Sequence, residues 1–137
     1  MSFREKSAWV TLIAILLVFA LYGLHAPSIV DPGHFEVHAL LACFVAFLVI
    51  EAIAWLVLRL RYPEDARTPK DERERLIDLK ATRIAARCYV VLSFLAIVFA
   101  IHLTNNNVAV GYYVVLAFVI AEIVNYGARI IYYRRGV

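Results

Sequence analysis

Apolar residues arrive in four long runs, at about 8–24, 38–58, 86–103 and 109–131, with the charged residues confined to the segments beside them. A helix crosses the hydrocarbon core of a bilayer with roughly 20 apolar residues. The first run is the shortest, and Trp9 and Tyr22 stand at its two ends, where amphipathic rings favour the lipid–water boundary. The pattern predicts an all-α protein, a four-helix transmembrane bundle that forms one integral membrane domain over 1–137. Arg4 and Lys6 ahead of the first run look like the basic start of a secretory signal. No A-x-A cleavage pattern follows, since Leu24 and Ala26 bracket His25, so the run reads as a retained anchor.

Charge sets the expected orientation. All 14 Lys and Arg lie near the N-terminus, within 59–87, or at Arg129, Arg134 and Arg135, and none lies in 7–58 or 88–128. Loops rich in Lys and Arg stay on the cytoplasmic side. Both termini and the loop 59–85 are therefore expected inside, with the connections 25–37 and 104–108 outside.

Composition narrows the class further. At 64% hydrophobic and 18% charged residues the chain lies outside the soluble range of about 45–50% and ~25%. Disorder is excluded, and two cysteines cannot make a soluble disulfide-stapled module. Cys43 and Cys88 fall at different depths of their runs, so free thiols are expected. The net charge of +3 is explained by topology, and no nucleic-acid partner is expected.

The two halves look alike. Phe47-Leu48-Val49-Ile50-Glu51-Ala52-Ile53 matches Phe118-Val119-Ile120-Ala121-Glu122-Ile123-Val124, and Val18-Phe19-Ala20 matches Val98-Phe99-Ala100. Such matches arise from a parallel two-helix repeat, or by chance in any greasy sequence.

Glu51 and Glu122 are the main chemical candidates. They precede Arg59 and Arg129 by eight and seven residues, about 10–12 Å of helix rise, and so sit inside the hydrocarbon at matched depth. An ionisable group there costs roughly 2.5–3.5 kcal/mol on insertion scales and by default marks function. Glu122, Asn125, Tyr126, Arg129 and Tyr133 recur at helical spacing as one polar stripe, and Glu51, Trp55, Arg59 and Tyr62 make its counterpart. Two readings stay open: interhelical hydrogen bonding that holds the bundle, or a proton, cation or cationic-substrate site.

Thr68-Pro69-Lys70-Asp71 predicts a helix start with Thr68 as N-cap, Pro69 first in the helix and Asp71 at N3. This helix continues into the third run, and its opening turns are expected to project from the inner face or lie along it. Glu72 and Arg75 can pair at i,i+3. Asp71, Glu72, Arg73, Arg75, Leu76, Ile77 and Leu79 form a candidate surface for docking a cytoplasmic or membrane protein. Contact with anionic lipid is the other use of so basic a loop.

The four histidines, His25, His34, His38 and His102, map to the outer side. His34 and His38 stand four apart, and Asp31 and Glu36 are near them. These donors suit Zn²⁺ or Cu²⁺; a bis-imidazole haem and an outward pH sensor are remoter uses. No spacing matches a recognised metal signature, and no resident cofactor is expected. No phosphate-binding loop, nucleophile elbow, zinc-protease motif or C-x-x-C is present, so the chain is not expected to be an enzyme. Alanine pairs four apart, Ala42/Ala46, Ala96/Ala100 and Ala117/Ala121, suit close helix packing and a homodimer.

The opening Phe3-Arg4-Glu5-Lys6-Ser7-Ala8-Trp9, the run Asp71-Glu72-Arg73-Glu74 and the stretch Ala81-Thr82-Arg83-Ile84-Ala85 resemble small uncharacterised bacterial four-span inner-membrane proteins. The resemblance implies a bacterial cytoplasmic membrane and brings no activity. The expected function is that of an accessory or regulatory membrane protein presenting its inner helix to a partner. The alternatives are a small proton- or cation-coupled carrier using Glu51 and Glu122, and metal sensing by the outer histidines.

Overall fold

A computed structural model describes residues 3–25, 37–64, 69–104 and 107–135, except the side chains at 25, 37–40, 103–104 and 107–109. Four long helices run in sequence: α1 (Phe3–His25), α2 (Val37–Arg61), α3 (Glu72–Phe99, widened into a π-helical turn over Ala100–Thr104) and α4 (Asn107–Arg135). All four are long and apolar enough to span a bilayer. They are longer than the apolar runs because charged residues extend them at one end: Arg4 to Lys6, Arg59 to Arg61, Glu72 onward and Arg134 to Arg135.

The start of α3 differs from the sequence reading. Asp71, not Thr68, is the N-cap, in extended conformation with ψ 155°. Its carboxylate accepts the Glu72 N–H at 2.7 Å, and its own N–H donates to Glu74 Oε2 at 3.4 Å. Aspartate caps at least as well as threonine, and Asp71 with Glu74 completes a capping box. Pro69 and Lys70 stay outside the helix. Thr68 lies outside the described residues.

The turns that follow do not project. Ile77, Ala81 and Ala85 recur every four residues and are buried, Ile77 at 1% exposure. This stripe lays the polar start of α3 against the bundle. The expected Glu72–Arg75 pair is not formed; Arg4 Nε reaches Glu74 Oε2 at 2.7 Å instead.

α3 and α4 make the closest seam, burying Ala81, Ala85, Ala96 and Ala100 of α3 and Ala117 and Ala121 of α4. Small side chains let helix backbones approach, which is how apolar helices gain packing in lipid. Tyr89 meets Phe118 edge-on across the seam, with centroids 6.2 Å apart. α1 turns Ala8, Thr11, Ile15 and Val18 inward at helical spacing and packs on both α4 and α2. α2 packs closely on α1 alone, and none of its described residues is buried. The order around the bundle is α2–α1–α4–α3, and the side between α2 and α3 stays open.

The outer surface carries Leu17, Leu21, Leu48, Ile53, Phe94 and Phe99, all substantially exposed. Such a belt suits hydrocarbon; in water it would be a large aggregation surface. Cys43 and Cys88 are free thiols, as expected.

One end of the bundle gathers the charge. Arg134 pairs with Glu5 at 3.7 Å, the Lys6 ammonium lies 3.8 Å from the Tyr62 ring centre, and Arg4 holds Glu74. These contacts bring the start of α1, the end of α2, the start of α3 and the end of α4 together.

Candidate functional site

Just inside the charged end lies a cavity of about 190 Å³. α1 contributes Arg4 and Thr11, α2 Glu51 and Trp55, the segment before α3 Lys70, α3 Asp78, and α4 Tyr126, Arg129 and Tyr133. On α4 the i,i+3 and i,i+4 spacing predicted from sequence becomes a hydrogen-bonded chain. Asn125 Nδ2 donates to Glu122 Oε2 at 3.2 Å, and Arg129 Nε donates to Asn125 Oδ1 at 3.2 Å. Arg129 Nη1 then meets Asp78 Oδ1 of α3 at 3.5 Å, and Lys70 closes on the other oxygen of Asp78. Asn125 is buried, so its amide must find both a donor and an acceptor inside the protein.

The α2 side is built differently. Glu51 accepts one hydrogen bond, from the Thr11 hydroxyl at 3.2 Å, and makes no ion pair among the described residues. The Arg59 guanidinium lies over Trp55, 4.9 Å from its ring centre, and makes no ion pair with Glu51. Arg129 covers Tyr126 in the same manner at 5.2 Å.

Glu51, Tyr126 and Arg129 are thus brought to one cavity. Glu122 is not among the cavity walls, and its recorded hydrogen bond is to Asn125 of its own helix. The cavity thus holds one of the two glutamates among its walls, and Tyr126 stands within electrostatic reach of both. Among the walls named above, the residues missed from sequence are Arg4, Thr11, Lys70 and Asp78. Asp78 follows the buried Ile77 and precedes the buried Ala81 on the inward face of α3. That four-residue stripe of small and apolar residues inside a charged run was the available signal.

The docking surface is also revised. Asp71, Glu72, Arg73, Arg75, Leu76 and Leu79 are exposed, with Leu79 at 69%, whereas Ile77 belongs to the core. Of the candidate metal ligands, His34 and the side chains of His25 and His38 lie outside the described residues. His102 Nδ1 lies 3.0 Å from the Val98 carbonyl oxygen one turn earlier on its own helix. Among the described residues no group of three or more His, Cys, Asp or Glu is placed to hold a metal ion.

Four apolar helices joined through a charged end, with polar side chains gathered below it, define a multi-pass α-helical membrane protein. The chain belongs to the family described as "Predicted membrane protein (DUF2178)", whose model matches residues 4–137. No curated protein and no solved structure matches it.

Proposed function

We propose that this is a non-enzymatic membrane carrier or cation-binding protein in which Glu51 exchanges a proton for a cation inside the polar cavity. The observation that supports it is the contrast between the two cavity carboxylates. Asp78 is held by Lys70 and Arg129, whereas Glu51 faces the cavity with a single neutral donor. A carboxylate within a membrane span is costly as a lone charge, so it takes up a proton or a cationic partner. Flux of protons or monovalent cations in liposomes holding the full chain is expected to vanish in Glu51→Gln with the fold intact. Unchanged flux in that variant sinks the reading.

The exposure of Arg73, Arg75, Leu76 and Leu79 favours a second reading, an accessory protein that offers the outer face of α3 to a partner. Charge reversal at Arg73 and Arg75 would then lose a binder in pull-downs while Glu51→Gln keeps it. Exposed Ala42 and Ala46 on α2 support a homodimer through that helix, which crosslinking of the membrane-embedded protein tests.

The charged end is assigned to the cytoplasm of a bacterial inner membrane, because Lys and Arg retained at one end set orientation. A cysteine introduced at Asn106 should react with impermeant reagent from outside only. Reaction only from the cytosol would reverse the whole assignment.

A further inference from the structure

α3 is covered along one face only. Ile77, Ala81, Ala85 and Ala96 are buried, whereas Leu79, Arg83, Arg87, Val90 and Phe94 recur at intervals of three and four on the opposite face and are all exposed. Two arginines one turn apart thus lead straight into the apolar belt of the helix, which opens with Val90 and Phe94, each 67% exposed.

These arginines lack what other cations of the bundle have. Arg4, Lys70, Arg129 and Arg134 each meet an acid, and Lys6, Arg59 and Lys80 lie over the rings of Tyr62, Trp55 and Tyr132. Arg73 and Arg75 are interleaved with Asp71, Glu72 and Glu74, so charge nearly cancels there. From Leu79 to Ala121 the sequence holds no acid, and neither Arg83 nor Arg87 makes an ion pair among the described residues.

Helix α4 fixes their depth. Asp78 meets Arg129 and Tyr89 meets Phe118 in one antiparallel register, which sets Arg83 and Arg87 level with Val124 and Ile120 in the apolar part of α4. Thr104, where the π-helical turn ends, is 17 residues beyond Arg87, about 25 Å of rise. The hydrocarbon core is ~30 Å thick. With the Thr104 end at the far boundary, the Arg87 backbone stands at the near edge of the hydrocarbon, and its long side chain reaches the headgroup layer.

The chemistry of that layer selects the occupant. Two guanidinium forks one turn apart match the oxygens of a phosphate, and the apolar stripe continues past them for an acyl chain. A zwitterionic headgroup brings its own ammonium against the arginines, and an anionic one does not. A protein partner at this depth would have to carry an acid within the membrane, at high cost.

We infer that Arg83 and Arg87 hold the phosphate of an anionic phospholipid whose acyl chain lies along Val90 and Phe94. The site lies on the outside of the bundle and does not depend on the role of Glu51.

The test places a reporter on the same stripe. In the full chain, Phe94→Trp sets an indole about 10 Å along the helix from Arg87, at the depth of bromines on an acyl chain. The protein is reconstituted in phosphatidylcholine vesicles, and the signal of Trp9 and Trp55 is subtracted with the chain that keeps Phe94. Quenching by dibrominated phosphatidylglycerol is expected to give a binding constant at least about fivefold above that of dibrominated phosphatidylcholine. Replacing both arginines, Arg83→Gln with Arg87→Gln, should bring the ratio close to one, and Arg83→Lys with Arg87→Lys should keep most of it. Arg73→Gln with Arg75→Gln should leave it unchanged. Equal quenching by the two lipids overturns the inference and leaves the arginines to a partner helix that carries an acid. A preference that survives the Arg83 and Arg87 glutamine pair, or one that falls equally with the Arg73 and Arg75 pair, reduces the effect to diffuse surface charge and also overturns it. Should the Arg83 and Arg87 glutamine pair fail to fold, the two lipids compared on the reporter protein, with and without Arg73 and Arg75, still decide.

Discussion

The two helix pairs of this protein share a pattern of apolar residues and a glutamate at matched depth, yet they are assembled in opposite ways. α3 and α4 press small residues together and share a polar chain that runs from Glu122 through Asn125 and Arg129 to Asp78. α2 leans on α1, buries none of its described residues, and leaves Glu51 with one hydrogen bond, from the Thr11 hydroxyl, and no ion pair among the described residues. Where helices meet through alanine, polar groups are consumed by one another. Where they do not meet, a cavity opens and a carboxylate is left available. The internal resemblance of the halves therefore does not carry over into equivalent roles for the two acids.

The sharpest separation of the halves comes from overpacking. Ala81→Leu forces a large side chain into the α3–α4 side of the bundle and is expected to cost about 1–3 kcal/mol, whereas Ala42→Leu on α2 should stay within about 0.5 kcal/mol. Reversible unfolding in mixed micelles measures both, and equal losses would erase the distinction. Next comes Asn125→Leu, which removes the acceptor of Arg129 and the donor to Glu122. A loss of about 1–2 kcal/mol is expected, since Arg129 keeps Asp78 while Glu122 loses its donor. Thr11→Val takes away the single hydrogen bond of Glu51 and should cost only about 0.6 kcal/mol, the usual worth of such contacts in a bilayer. A larger loss would mean that Glu51 is structural after all. Smallest is Leu79→Ser on the outer face of α3, with no change in melting expected.

Much of the architecture was legible in particular residues. The four apolar runs specified four helices, and the clustering of Lys and Arg matched the end at which Arg4, Lys6 and Arg134 now meet Glu74, Tyr62 and Glu5. The stripe Glu122, Asn125, Arg129 was read correctly because i,i+3 and i,i+4 neighbours lie on one helical face whatever surrounds them. The contribution of Asp78 and Lys70 was missed, although the stripe Ile77, Ala81, Ala85 was there to be read. A run such as Asp71 to Lys80 has the composition of a solvated helix, and the neighbours of Ile77 and Ala81 show that its other face is covered. The N-cap was missed because Thr68 and Asp71 are both competent acceptors, and the capping box of Asp71 with Glu74 marks the one used.

Local sequence thus dictated where the helices are, what solvent surrounds them and which residues share a face, because helical periodicity and the cost of charge in hydrocarbon act within a single segment. Only the packing of four segments decided that α2 stands off from α3, that Glu51 opens on a cavity while Glu122 bonds within α4, and that Asp78 reaches Arg129 across the α3–α4 seam. Those outcomes depend on which helices approach closely, and that is settled by the fit of side chains distant in sequence.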